Sequence, residues 1–408
     1  MVTTSKSKIQ FVKKGHVTSA KGFSAGGLHC GIRKSKLDFG WLHSDVPATA
    51  AGVYTMNSFQ AAPLKVTKDS IAIDQKLQAI VVNSGVANSC TGAQGMSDAL
   101  ETQQLAAQKL SVKPHHVAVA STGLIGVHLP MEKISSAIRS MDLKENQSTD
   151  RFEQAILTTD TCTKHFAVEV EIDGKTITIG GAAKGSGMIH PNMATMLAYL
   201  TTDAEVDPDS LQRALNHITN KTFNMITVDG DCSTNDTVLL LANGLQQNQP
   251  LSEDHPQWAL FVEALRYVSE ELAKQIAKDG EGATKLIEVI VKGAPSDIAA
   301  NQVGKAVISS NLVKSAVYGA DPNWGRVVCA IGYSEQPVNP DRVCVSLGEI
   351  PVVTDGLPVE FDEEEGKNYL LQEQVQIIID LQDGEAEAKA WGCDLTYEYV
   401  KINASYRT

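Results

Sequence analysis

The stretch GGAAKGSGMIHPNMATMLAYL, Gly180 to Leu200, holds residue types and spacings that could do chemistry. Four glycines within eight residues let backbone approach a ligand closely, and the segment then turns apolar. A phosphate loop is one reading. The Walker spacing is absent, because Lys184 precedes Gly185 and no Lys-Ser/Thr follows the last glycine, and GxGxxG is absent too. A second reading is nucleophilic, through Thr195. A threonine hydroxyl is a weak nucleophile and needs a base. His190 lies five residues upstream and could serve, although a lone histidine beside proline is ordinarily a loop residue; the GxSxG elbow is missing. The remaining way to activate Thr195 is to make it a chain terminus. Its own α-amine, with a reference pKa of about 7.7–8.0, then accepts the hydroxyl proton. The hydroxyl can open that terminus itself by attacking the preceding carbonyl and breaking the Ala194–Thr195 bond. On residue types alone, a buried strand threonine and a self-made N-terminal nucleophile both stay open.

Such a residue needs a scaffold to hold it. Leu77–Asn83 and Val117–Ser121 have the short apolar character of buried strands, with a helix over Ser97–Leu110 between them. Phe166–Gly181 alternates apolar residues on both sides of Asp173-Gly174, the signature of a hairpin. Asp207-Pro208 opens a helix to about Thr219, with Asp as N-cap and Pro at the first helical position. Trp258–Lys278 carries apolar residues at helical spacing and is stopped by Gly280 and Gly282. Further strands are expected at Leu286–Val291, Val327–Ile331, Val343–Val353, Val375–Leu381 and Leu395–Asn403, and a solvated loop at the acidic run Asp362–Glu365. The class is mixed α/β, or α+β, and the hairpins argue against a purely doubly wound sheet.

Composition excludes several functions. The chain has 408 residues, 43% of them hydrophobic, and a formal net charge of −13. There is no basic stripe for a nucleic-acid backbone and no apolar run of the ~18–20 residues that span a bilayer. The seven cysteines are scattered and no two form a CxxC pair, which fits reduced thiols in a cytoplasmic compartment and no zinc site. His115-His116 does not change that expectation, since neighbours in a strand point to opposite faces. Residues 1–37 lack Asp and Glu and carry seven Lys, but only one Arg and no apolar core, so an ordinary mature N-terminus is expected.

GMIHPNMATML (187–197) resembles the self-cleavage segment of the ornithine acetyltransferase family, the glutamate N-acetyltransferases of arginine biosynthesis. The likeness extends to GVYTMNSFQAAP (52–63), VVNSGVANSCTG (81–92), STGLIG (121–126), LTTDT (157–161), TVDGDCSTNDT (227–237), DGEGATKLIEV (279–289), GADPNWGRV (319–327) and YVKINASYRT (399–408). These blocks stand in family order over essentially the whole chain. Val86 and Cys232 depart from the usual block residues.

The resemblance implies a mixed-sheet α/β sandwich of the self-processing type, cut between Ala194 and Thr195 into chains 1–194 and 195–408 that share one fold. It implies Thr195 as nucleophile, with Thr122 and Gly123 as oxyanion hole. Thr158, Lys184, Glu281, Asn403 and Thr408 are implied as substrate residues, with Thr159 a one-residue alternative to Thr158. The implied reaction is ping-pong: acetyl passes from N2-acetylornithine to Thr195, ornithine leaves, and glutamate takes the acetyl as N-acetylglutamate. Acetyl-CoA serves some members as donor, and no residue of this sequence decides that point. No cofactor or metal is implied, and the fragments are expected to associate as a dimer of pairs in the cytoplasm. Two alternatives differ in class. A self-processed amidohydrolase or aminopeptidase would pass the acyl group to water, and a non-catalytic amino-acid-binding protein would stay uncut.

Overall fold

The computed structural model describes residues 8–143, 148–190 and 196–405. Its strands are β1 (Ile9–Phe11), β2 (Phe23–Leu28), β3 (Phe39–Tyr54), β4 (Lys76–Val86), β5 (Val117–Leu124), β6 (Lys164–Ile172), β7 (Lys175–Lys184), β8 (Leu197–Thr202), β9 (Ile226–Thr227), β10 (Thr237–Ala242), β11 (Leu286–Ala294), β12 (Cys344–Leu347), β13 (Ile350–Thr354), β14 (Leu357–Pro358), β15 (Gln374–Asp380) and β16 (Ala386–Cys393). They form two mixed sheets. One runs β1-β6-β7-β8-β10-β3-β4-β5, with β2 added on β3; the other runs β14-β13-β12-β15-β11-β16-β9.

Local chemistry explains the elements nearest the site. In the β6–β7 hairpin, Asp173 (φ 52°) and Gly174 (φ 69°) take the left-handed turn, which sets Ile172 opposite Lys175. Strands β4 and β5 are parallel, so their connection must cross over, and the helix Gly92–Leu110 makes it. Their apolar runs are covered on both faces. Phe39, Trp41, Ala99 and Ala106 lie in one core cluster, and Leu42, Ile80, Phe152 and Tyr199 in another. The helix Trp258–Lys278 packs on β6 and β7 of the first sheet and on β16 of the second. Phe261, Leu265, Val268, Leu272 and Ile276 are buried there, each contributing about 1.5–3 kcal/mol. A Cβ at Gly181 on β7 would sit 2.7 Å from Leu272, so glycine lets this helix approach the sheet.

Several expected elements took another form. Val327–Ile331 belongs to the helix Trp324–Gly332, where Val327, Ala330 and Ile331 are buried at helical rather than strand spacing. Leu395–Asn403 is mostly the helix Tyr397–Ser405. The acidic run begins a helix, because Asp362 accepts from the amides of Glu364 and Glu365, and the acids of Glu363–Leu370 favour its N-terminal dipole. The helix after β4 starts at Gly92, five residues before Ser97. Val343–Val353 folds back at Gly348 (φ 58°) as the β12–β13 hairpin. His115 and His116 lie in a one-turn helix, Pro114–His116, ahead of β5.

Candidate active site

One cavity of about 400 Å³ is lined at or beside the ends of five strands of the first sheet: Ala87 just after β4, Gly123 near the end of β5, Lys184 at the end of β7, Leu197 at the start of β8 and Asp236 just before β10. Gly85 lies opposite Gly123, Lys184 opposite Leu197, and Leu197 opposite Thr237 at the start of β10. Thr122, Gly123, Thr158, Lys184, Glu281 and Asn403 all line the cavity, as does Thr159. Met196 and Leu197 line it too. Thr195, Ala194 and Thr408 lie outside the described residues.

The glycine at 123 is required by its neighbours. Its φ is 131°, and a Cβ there would stand 2.3 Å from the Gly85 carbonyl carbon. The parallel NSG and STG segments therefore pass closer than any side chain allows. Asn235 fixes the same corner, since its amide donates to the Ala87 carbonyl (2.6 Å) and the Ser121 carbonyl (2.8 Å).

A buried chain of alternating charge supports the opposite wall. Lys164 Nζ donates to Asp160 (2.7 Å) and Asp279 (2.6 Å), and Lys184 Nζ stands 4.0 Å from Asp160. Asp160 also accepts from the backbone amides of Thr158 (3.0 Å) and Gly185 (2.6 Å). Burial by itself would raise the Asp160 pKa, but Lys184, Lys164 and these donors outweigh it and hold the carboxyl far below the usual range. Burial likewise opposes the charge on Lys164, yet its two carboxylates leave its pKa raised. Lys184 is the weak link: burial wins and its pKa is lowered, with Asp160 opposing the drop and Lys164 adding to it. Arg33 completes this wall by donating to the Leu157 (2.7 Å) and Thr158 (3.0 Å) carbonyls.

The cavity is otherwise acidic. Glu281 accepts from Asn403 Nδ2 at 2.7 Å, which ties the C-terminal helix to the site. Gly187 makes room for it, because a Cβ there would sit 2.3 Å from the Glu281 carboxyl. Glu281 follows the loop beyond the long helix, and its amide bonds the Ser186 carbonyl (3.0 Å) while Ser186 Oγ donates to the Asp279 carbonyl (2.7 Å). Asp229 accepts from the amides of Met188 (2.7 Å) and Ile189 (2.8 Å), and burial raises its pKa. Asp231 and Asp236 line the cavity as well. Four carboxylates thus face one lysine, a field suited to a substrate with a cationic group.

Sequence reasoning assigned no role to Asp229, Asp231, Ser233, Asn235, Asp236 or Tyr399, all cavity residues. The signal was present in TVDGDCSTNDT, where three aspartates and an asparagine stand between two strands without helical or strand period. Of the two departures, Val86 is buried at the end of β4, and Cys232 lies 3.6 Å from Thr55 Oγ1. His190 faces a second cavity, bonds Thr227 Oγ1 at 3.0 Å, and is pushed down to about 4 by burial and by Lys305 and Lys314.

Comparison with known proteins gives one consistent result. The model of the ArgJ family matches residues 24–408. The arginine biosynthesis bifunctional protein ArgJ of Oceanobacillus iheyensis is 60% identical over 408 residues, covering 100% of both chains. That of Geobacillus kaustophilus is 56% identical over 407 residues, covering 100% of this chain and 99% of its own. A crystal structure of the argJ protein from Bacillus halodurans matches with 54% identity and a TM-score of 0.51, over 52% of this chain and 100% of that one.

Proposed function

As a member of the ArgJ family, the chain is an acetyltransferase of arginine biosynthesis, and we propose that it carries acetyl from N2-acetylornithine to glutamate on Thr195. One observation carries the assignment of residues. Six side chains or amides from five separate blocks, at 122–123, 158, 184, 281 and 403, meet in a single cavity beside Met196 and Leu197. The chain position next to Met196 is Thr195.

In this reading Thr195 Oγ attacks the acetyl carbonyl while its α-amine takes the hydroxyl proton. The oxyanion receives the Thr122 hydroxyl and the Gly123 amide, neutral donors whose removal singly costs ~2.7–4 kcal/mol in such sites. The C–N bond breaks and ornithine departs with the proton on its amine. Glutamate then attacks the acetyl-Thr195 ester in reverse. Lys184 meets a substrate carboxylate, and Glu281 with its acidic neighbours meets the ornithine ammonium. Both amino acids share one α-amino-acid frame, so one cavity can hold each in turn.

The same chemistry first cuts Ala194–Thr195, giving pieces 1–194 and 195–408. The fold favours their staying together, since β8 and β10 lie between β7 and β3 in one sheet. The solved Bacillus halodurans chain matches about half of this one, the share expected of a single cleavage product. Assembly as a dimer of such pairs, a cytoplasmic location and use of acetyl-CoA belong to the proposal. Among the described residues no helix is long and apolar enough to cross a membrane.

The purified protein on a denaturing gel should show two fragments, one beginning Thr-Met-Leu-Ala, and Thr195→Ala should leave one intact inactive chain. Glutamate added with N2-acetylornithine should yield N-acetylglutamate. Free acetate that ignores glutamate would instead favour a hydrolase, and an uncut, inactive wild-type chain a binding protein.

A further inference from the structure

His115 and His116 take no part in the cavity just described. They close the turn Pro114–His116, yet both imidazoles reach one residue, Asp74, the last of the helix Ala62–Asp74. Nε2 of His116 lies 2.8 Å and Nε2 of His115 3.3 Å from the same atom, Asp74 Oδ2. The rings meet edge to face, with centroids 4.6 Å apart. Among the described residues this is the single group of three such side chains whose donor atoms all lie within 4.8 Å of one another.

The site is held in place from both sides. Gln75 caps the helix in the left-handed region, its amide bonded to the Ile71 carbonyl, which fixes the backbone of Asp74. The His116 amide bonds the Lys113 carbonyl at 2.9 Å, and the His116 ring is buried. Asp74 and His115 keep about a third and a quarter of their side-chain surface exposed, which leaves an open face for water ligands. The other carboxylate oxygen, Asp74 Oδ1, is buried with no hydrogen-bond partner. An uncompensated buried carboxylate oxygen is costly and gains from a nearby positive charge.

We propose that Asp74, His115 and His116 bind one divalent transition-metal cation. Two imidazole nitrogens and one carboxylate oxygen suit borderline ions of the cobalt, nickel and zinc type; magnesium or calcium would call for more oxygen ligands. No electron transfer or covalent step is involved. Each ring carries its proton on Nδ1 and offers the Nε2 lone pair, and water fills the remaining positions. The bound ion joins the helix Ala62–Asp74 to β5, whose far end carries Thr122 and Gly123, so its role is to brace and not to react.

The test uses Co²⁺ with the full processed protein, freed of chelator and with its thiols reduced. One equivalent should bind with visible d–d absorption of nitrogen and oxygen ligation and no thiolate charge-transfer band. His115→Ala, at the more exposed of the two histidines, should keep the wild-type circular dichroism and acetyl-transfer rate while weakening binding by ~10-fold or more. Asp74→Asn should do the same to binding. Absence of saturable uptake, a thiolate band, or undiminished affinity in His115→Ala would each overturn the site, whatever the outcome for acetyl transfer.

Discussion

Asp160 holds the Thr158 and Gly185 amides and Lys164 in its carboxylate, with Lys184 close by, so this wall of the cavity depends on a charge that itself stays buried. Asp160→Asn leaves two buried lysines facing a neutral amide. Its unfolding free energy in urea should fall by about 3–5 kcal/mol, the range for breaking a buried ion pair from one side. Lys184 would also lose the neighbour that opposes the fall of its pKa, so the pH profile of KM should move to lower pH. A pH-dependent contribution to stability sits at His165, where the hydrogen bond that Nδ1 donates to the Glu153 carboxylate raises the pKa above the usual 6.5. A raised histidine stabilises fully below its unfolded pKa and ceases to as pH climbs through the folded one. The advantage of wild type over His165→Gln in thermal unfolding should therefore be full below about pH 6.5 and shrink as the pH rises above it.

Glycines set two elements against each other at the site, and they separate binding from chemistry. Gly187→Ala drives a Cβ into the Glu281 carboxyl and its bond to Asn403, so KM for acetylornithine should rise ~10–100-fold with the melting temperature little changed. Gly123→Ala would force β5 away from Gly85 and displace the amide proposed as an oxyanion donor; kcat should drop ~10²–10³-fold in steady-state assays. Elements of this kind were legible where local chemistry decides them. Asp173-Gly174 made a hairpin, and Asp207 caps its helix through the Ser210 amide, as read from sequence. Short apolar runs were not legible, because Val327–Ile331 suits a strand or a buried helix equally until the packing at Val327, Ala330 and Ile331 is known. The acidic run misled for a related reason: charge marks exposure, and the exposed first turn of a helix favours acids as much as a loop does.

At the scale of the whole molecule, the site is assembled from residues far apart in sequence, and only their block resemblance gathered them before the fold did. Periodicity could place β4, β5 and the long helix, but it holds no information on which loop ends meet; the Asp229–Asp236 run was marked in sequence only by its acidic, aperiodic composition, and Arg33 by nothing local. The interleaved sheet yields a prediction of its own. Cleaved fragments should co-elute in native size-exclusion chromatography and part only in denaturant, because separation strips β8 from β7 and β10 from β3 along full registers. That strand order also bears on biosynthesis. β3 and β7 leave the ribosome before β8 and β10, so two facing edges in the middle of the sheet wait unpaired while the later residues are made at about 5–20 residues/s. A polypeptide ending at Ala194 keeps both edges open for good. Synthesised alone it should accumulate in inclusion bodies, and only a 195–408 partner translated in the same cell should bring it into solution.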